Sequence, residues 1–531
     1  MSNPPELPEF PSPFNFINNV PITLVELRMR NFSGQIREKP RWWEKVHDAD
    51  IVAKWRSEII EQDEKVVEQF WGGEKRFDDG NGEKKWPREK ITGAQLDYIF
   101  DELKDLAQAI DHETGIQRTA IDKVYQSKTL IPADLKTVFL SGVSILESVP
   151  PEEQDWHPGA NDQVLDLVHP SLHCFRIGRS PVLIPERTSG CPDPLFVLTE
   201  EQYLEMREDA EGAIVSQFIS TNYQWLPTDF EVSQPGRRLY SNITSILQRF
   251  LPLFERVLSD SSDPPPPLAV AANPGGWYED EESESDLSDD EMDARWRKFH
   301  WPVIHDPAPF SPPTQEGRTP LSLNGRKLQV IIKLANIVLT PERPKYPGGS
   351  WHVEGMVNEE IVATGIYYYA SDNISESKLA FRAAVGDGTD EAGVSWNYEQ
   401  SDDRGWTVAF GLRQWRSMNQ ELGSIMATED KSSLGRGRYS AFSLSTRRGP
   451  SSRRATFPAA TIVVPRRAGK VPALRALPQE IWDMIMQYAL AGTVSLEEAK
   501  QDRLALMEER SHFVIEHNRE IFEVEFNMCE H

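Results

Sequence analysis

The sequence predicts an α+β fold in which helical N- and C-terminal regions flank a β-rich core. Three patterns support this class. A capping box at Thr92 and Gln95 precedes apolar residues at helical intervals. A near-continuous apolar run from Lys327 to Leu339 is typical of a buried strand. Ile361 to Tyr369 is rich in β-branched and tyrosine residues, as a second strand would be.

Composition and charge exclude several classes of function. The chain has 531 residues and a net charge of −26, so an extended phosphate-binding surface is not expected and nucleic acid is excluded as a partner. Its three cysteines are too few for a disulfide scaffold and favour a reducing compartment. No apolar run approaches a membrane span, so no membrane partner is expected. A cytoplasmic or nuclear protein is the expectation.

The chain divides into four predicted regions. Residues 1–21 are proline-rich and predicted to be disordered, and residues 22–90 form an N-terminal helical region. Residues 91–477 form the main domain. Residues 478–531 are predicted to be C-terminal helices, one of which starts at a capping box formed by Ser495 and Glu498.

Two segments interrupt the main domain. Residues 260–300 contain four consecutive prolines and a stretch with ten acidic residues in fifteen, which predicts a disordered acidic insert open to protein partners. Residues 431–479 hold eleven Lys or Arg but no Asp, Glu or His, and they show little hydrophobic periodicity. The basic part, 431–476, is therefore compositionally anomalous.

The candidate chemistry lies at His352 and Glu354, which follow a Gly-Gly turn. Two residues apart on an extended strand, their side chains would share one face. An imidazole and a carboxylate there supply two of the three ligands of a facial triad on Fe(II). Residues 327–340 and 360–369 are predicted to be paired strands of one barrel-like sheet, a double-stranded β-helix or jelly roll, with the His–Glu pair at its mouth. A plain surface His–Glu pair is the alternative.

Several longer motifs carry a resemblance. The apolar run from Leu328, the segment Pro347–Gly355, Asp155-Trp-His-Pro-Gly and Val164-Leu-Asp-Leu-Val-His-Pro-Ser-Leu resemble a fungal family known as domain of unknown function 4246. The resemblance extends from about residue 22 to residue 531. The family itself is similar in pattern to cupin-type oxygenases. It implies Fe(II) and 2-oxoglutarate as cofactors, His352 and Glu354 as metal ligands, and a substrate that the sequence does not identify.

The resemblance is interrupted where the third ligand is expected. The family pattern continues beyond Gly423 into a strand that carries a distal His and then an Arg suited to 2-oxoglutarate, but this chain has the anomalous basic segment there. Residues 443–470 are either a reading-frame artefact, in which case no regular strand is expected there, or a genuine basic insert. Both interpretations leave the distal His missing, so an inactive oxygenase is expected. His169 and His173 lie near a family motif, but a structural role is the simpler interpretation of each.

Two other functions stay open at this stage. A non-catalytic cupin-like interaction protein would need no complete metal site. An F-box-like adaptor is suggested by the segment from Leu477 to Ile485, but that segment predicts only one short helix.

Deletion of residues 262–295 is expected to leave the thermal unfolding midpoint nearly unchanged. Proline-rich, highly charged chain buries too little apolar surface to offset the entropy cost of ordering. Calorimetry of the deletion variant tests this, and a fall of many degrees would contradict it.

Overall fold

The computed structural model describes twelve segments of the chain and a few isolated positions. These segments are 23–71, 90–183, 195–205, 217–227, 238–263, 306–313, 320–326, 328–377, 426–428, 435–445, 478–481 and 494–519.

Four helices form the N-terminal part of the fold: α1 (Leu24–Glu38), α2 (Trp42–Lys45), α3 (Ala49–Trp71) and α4 (Gly93–Gln108). The predicted capping box at the start of α4 is present, since the side chains and backbone of Thr92 and Gln95 hydrogen-bond reciprocally. The apolar faces of these helices share one core, which includes Trp42. Its indole Nε1 donates to Gln117 Oε1 at 2.9 Å and so joins the helices to the following β ribbon.

Short elements connect this part to the sheet. They are β1 (Gln117–Arg118), β2 (Tyr125–Gln126), α5 (Ala133–Glu147), a 3-10 helix (Pro151–Glu153), β3 (Val164–Val168), β4 (Phe175–Arg176), β5 (Pro181–Leu183), β6 (Leu195–Val197), α6 (Glu200–Glu205), β7 (Tyr223–Gln224) and α7 (Arg238–Ser262). The remaining elements are β8 (Gln329–Leu339), β9 (Lys345–Tyr346), a 3-10 helix (Val357–Glu359), β10 (Ile361–Asp372), β11 (Ile374–Glu376), β12 (Met426–Thr428), β13 (Gly435–Ser445) and α8 (Leu496–His517).

The central sheet has four antiparallel strands in the order β10-β13-β8-β3. The two strands expected from the sequence are present as β8 and β10, but the expectation that they pair with each other is wrong, because β13 lies between them. A strand was also not expected at residues 443–445, which form the end of β13. The rest of that anomalous segment, 446–470, lies outside the described residues.

The smaller sheets do not close this one into a barrel within the described segments. They are one three-stranded sheet, β11-β12-β9, and three two-stranded ribbons. The double-stranded β-helix therefore stays a prediction.

Helices α5 and α7 cover one face of the central sheet. Phe139, Phe250, Phe254, Leu334 and Tyr369 belong to the largest buried cluster of the described residues. A glycine permits the close approach of α7 to β10, since a Cβ at Gly365 would lie 2.7 Å from Phe250 Cδ1. This packing makes β8 a central strand that is buried on both faces, as its apolar run indicates.

The disorder predicted for residues 260–300 is wrong at two places, because α7 continues through residues 260–262 and residues 290–292 are helical. Residues 264–287, 289 and 293–300 lie outside the described segments. Among the helices that are described, none combines the length and apolar character that a membrane span requires.

Replacing Leu334 with Ala is expected to lower the free energy of unfolding by about 2–5 kcal/mol, because the fully buried side chain would leave a cavity. The control is Leu504→Ala on α8, where the side chain is 53% exposed and the expected change is within about 0.5 kcal/mol. Urea unfolding measures both, and equal losses would contradict this account of the core.

Candidate metal centres

His352 and Glu354 lie in a loop between β9 and the 3-10 helix, so the strand predicted for them is wrong. Glycines with positive φ, Gly348 at 94° and Gly355 at 77°, flank the loop and turn the chain away from an extended path. The side chains nevertheless face each other, with His352 Nε2 3.9 Å from Glu354 Oε1. We call these two residues the His352–Glu354 pair.

The ring orientation of His352 is fixed by its own loop. Its Nδ1 lies 2.6 Å from the carbonyl oxygen of Ser350, and since a carbonyl only accepts, Nδ1 carries the proton and donates. The lone pair of the neutral ring is then on Nε2, the atom that faces Glu354. Metal-binding histidines commonly make this type of backbone contact through the other nitrogen. Both side chains are accessible, at 50% and 35% exposure.

Helix α8 supports this loop from one side. Asn518, just beyond the helix, donates from Nδ2 to the Trp351 carbonyl at 3.2 Å. Val353 and Met356 pack in an apolar cluster with Phe513 of α8. The docking of α8 therefore helps to hold the shape of the loop.

A buried carboxylate fixes the end of the loop. Glu359 is fully buried and accepts from the backbone N–H groups of Met356 at 2.5 Å and Trp225 at 2.7 Å. Arg510 of α8 donates to it at 2.6 Å and also lies 3.8 Å above the centre of the Trp225 ring. The helix thus supplies the positive charge that this carboxylate requires.

The structure also assembles a group that the sequence did not identify. His157, Asp166 and His169 bring their ligand atoms within 4.8 Å of one another, which among the described residues is the group of three with metal-binding geometry. We call it the His–Asp–His group. His157 Nδ1 lies 2.8 Å from Asp166 Oδ2, and the two imidazole rings are 5.1 Å apart.

The backbone explains why these residues meet. Residues 155–157 run antiparallel to β3, with the N–H of His157 donating to the Val164 carbonyl at 2.8 Å. His169 follows β3 directly and lies edge-on to Trp225, with ring centres 6.4 Å apart. The only available sequence signal was that two of the quoted motifs each contain a histidine. His173, considered with His169, is exposed and is not part of the group.

Charge around the group is distributed unevenly. Arg503 of α8 donates to both oxygens of Asp155, at 2.7 and 2.8 Å, and is 3.8 Å from Asp166 Oδ2. The other oxygen of Asp166, Oδ1, is buried and has no hydrogen-bond partner. Burial, with a smaller contribution from the charge of Lys333, holds the pKa of His169 well below its ordinary value of 6.5, so the ring is neutral.

Cys174 is buried against α8, so the reactivity of its thiol depends on the docking of that helix. It packs with Trp225, Ile331 and Leu506 of α8, and burial raises the pKa of its thiol to about 12. Asp502 of α8 also forms an ion pair with Arg179, with 3.0 Å between nitrogen and oxygen, which adds to the docking of the helix. The thiol should therefore be unreactive while the helix is in place.

Comparison with known proteins gives a family without an assigned activity. Residues 93–434 match the family described as "Protein of unknown function (DUF4246)", and residues 3–58 match its N-terminal domain, DUF4246_N. The comparisons with curated proteins and with solved structures each found no match.

Replacing Arg503 with Met should expose Cys174 to thiol reagents. Removing one partner of a buried ion pair costs about 3–5 kcal/mol, so α8 should open at least ~100-fold more often. The measurement is the rate of disulfide exchange with a chromogenic reagent in a Cys191→Ser, Cys529→Ser background.

The matched control is Arg41→Met. Its partner, Glu44, is a surface residue, and exposed pairs contribute about 0–1 kcal/mol, so labelling should not change. Equal labelling rates in the Arg503→Met variant and the parent would show that the pair does not hold α8 in place.

Proposed function

Because the chain belongs to the DUF4246 family, whose activity is unknown, we infer its function from its own side chains. We propose that it binds Fe(II) through His352 and Glu354, in a site of the 2-oxoglutarate-dependent oxygenase type. Fe(II) bound with 2-oxoglutarate and O₂ would supply the oxidation of a C–H bond. The substrate is left open by this proposal.

One observation carries the proposal: the hydrogen bond from His352 Nδ1 to the Ser350 carbonyl leaves Nε2 free and directed at Glu354. A surface His–Glu pair needs no such fixed tautomer, whereas a metal-binding histidine does. The 3.9 Å between the two ligand atoms is slightly wider than adjacent ligands of one ion, a gap that a small side-chain rotation would close.

The pair fits the metal only in part. No third His, Cys, Asp or Glu joins it with metal-binding geometry in the described segments. The family match ends at residue 434, shortly after the acid-free segment begins at residue 431. We therefore propose weak Fe(II) binding and no turnover of 2-oxoglutarate by this chain, because two ligands hold a metal less tightly than three.

The same incompleteness favours a second function. A family member that has lost its third ligand would retain the sheet and α8 and act as a non-catalytic binding protein. Fe(II) binding that depends on His352 and Glu354 decides between the two, since the non-catalytic binding protein needs no metal.

Anaerobic titration with Fe(II) tests the site. The His352→Gln and Glu354→Gln variants are each expected to bind Fe(II) at least ~10-fold more weakly than the parent chain. Calorimetry gives the affinity, and the visible absorption of an Fe(II)–2-oxoglutarate complex reports whether both are bound at one site.

The matched control is another accessible His–Glu pair, on α8, where His512 Nε2 is 3.1 Å from Glu516 Oε1. The His512→Gln variant should bind Fe(II) as the parent does. Unchanged affinity in both His352→Gln and Glu354→Gln would refute the site, and succinate production by this chain would refute the proposed inactivity.

A further inference from the structure

We propose that the His–Asp–His group is a second metal site, distinct from the His352–Glu354 pair, and that it takes a divalent transition cation of the zinc class. Two imidazole nitrogens and one carboxylate are a donor set suited to Zn²⁺ and similar ions. The ion would join residues 155–157 to β3 and the residue that follows β3, and its fourth position would be left to water.

The geometry supports binding of one ion by all three side chains. Their ligand atoms lie within 4.8 Å of one another. The 2.8 Å between His157 Nδ1 and Asp166 Oδ2 would widen by roughly half an ångström around a tetrahedral ion with bonds of about 2.0–2.2 Å. Only His169 has to move towards the other two.

A second observation, independent of the clustering, also indicates a cation. The side chain of Asp166 is 1% exposed, yet its Oδ1 has no hydrogen-bond partner. A buried carboxylate oxygen is normally satisfied by a donor or a metal ion. Arg503 is the nearest positive charge, but its two terminal nitrogens donate to Asp155.

The proton and charge balance is compatible with binding. The cation would take the place of the proton that lies between His157 Nδ1 and Asp166 Oδ2, and the ring proton of His157 would then be carried on Nε2. His169 would lose its 3.2 Å hydrogen bond from the Ser171 backbone N–H. Arg503 donates to Asp155 and lies 3.8 Å from Asp166 Oδ2, and the positive charges of Lys333, Arg503 and Arg510 near His169 weaken the binding of a cation.

Zinc binding to the full chain tests the proposal. Calorimetry should show one Zn²⁺ bound per chain at this site, and Co²⁺ should give a visible spectrum of nitrogen and oxygen coordination. Zn²⁺ should also raise the thermal unfolding midpoint. In the isosteric Asp166→Asn variant the Zn²⁺ affinity should fall at least ~10-fold, with loss of the Co²⁺ spectrum.

Control variants separate this site from other metal binding. His157→Gln, whose parent side chain is 22% exposed, provides a second test if Asp166→Asn fails to fold. His173→Gln should retain binding because His173 is a near neighbour outside the group. The double variant His352→Gln, Glu354→Gln should also retain this Zn²⁺ site, so a failure of the Fe(II) proposal leaves this result readable.

Three results would overturn the proposal. The first is a parent chain that shows neither Zn²⁺ binding nor a shift in its unfolding midpoint. The second is a folded Asp166→Asn or His157→Gln variant that binds Zn²⁺ as the parent does. The third is loss of the Co²⁺ spectrum in the double variant, which would assign the ion to the His352–Glu354 pair.

Discussion

The ion pair between Arg510 and the buried Glu359 is the contact on which both candidate sites depend. Glu359 fixes the end of the His352 loop through Met356 and holds the backbone of Trp225. Trp225 in turn donates from its indole to Ser171 at 2.8 Å and lies against His169. Without Arg510 a carboxylate with no exposed surface would have an uncompensated charge, which costs about 3–5 kcal/mol.

Helix α8 applies the same principle at a second point. Arg503 is 5% exposed and holds Asp155 with two parallel hydrogen bonds, a geometry that only a guanidinium and a carboxylate provide together. Two such pairs, seven residues apart on one helix, fix its position along the sheet as well as its distance from it. A buried pair adds little net stability compared with apolar residues. Its effect here is to specify where α8 docks, and so where both sites form.

The elements that the sequence predicts correctly are those encoded by residues adjacent in the chain. The capping box at Thr92 and the apolar run at β8 each predict an element from adjacent residues, and both are present. Strand β13 was not predicted, because its segment contains glycines and serines and has no hydrophobic periodicity. Its strand structure comes from pairing with β8 and β10 on either side. That pairing joins residues about one hundred positions apart, and no local pattern indicates it.

The two candidate sites show the same limit. Two residues of separation were enough to predict that His352 and Glu354 converge, although the loop was mistaken for a strand. The His–Asp–His group depends on the register of residues 155–157 against β3, which sets Asp166 opposite Asp155 and beside His157. A shift of one residue would turn Asp166 to the other face of the sheet.

The two candidate sites also differ in their access to water. The His352–Glu354 pair is accessible, so water can solvate both groups when no metal is bound, and its geometry requires no ion for stability. Asp166 is buried, its Oδ1 has no donor, and the nearest guanidinium lies 3.8 Å from its Oδ2 while donating to Asp155. A charge in that position is stabilised only by a nearby positive charge or by uptake of a proton. Of the two sites, the buried one therefore has the stronger physical requirement for a cation, even though the exposed one is the site proposed for Fe(II).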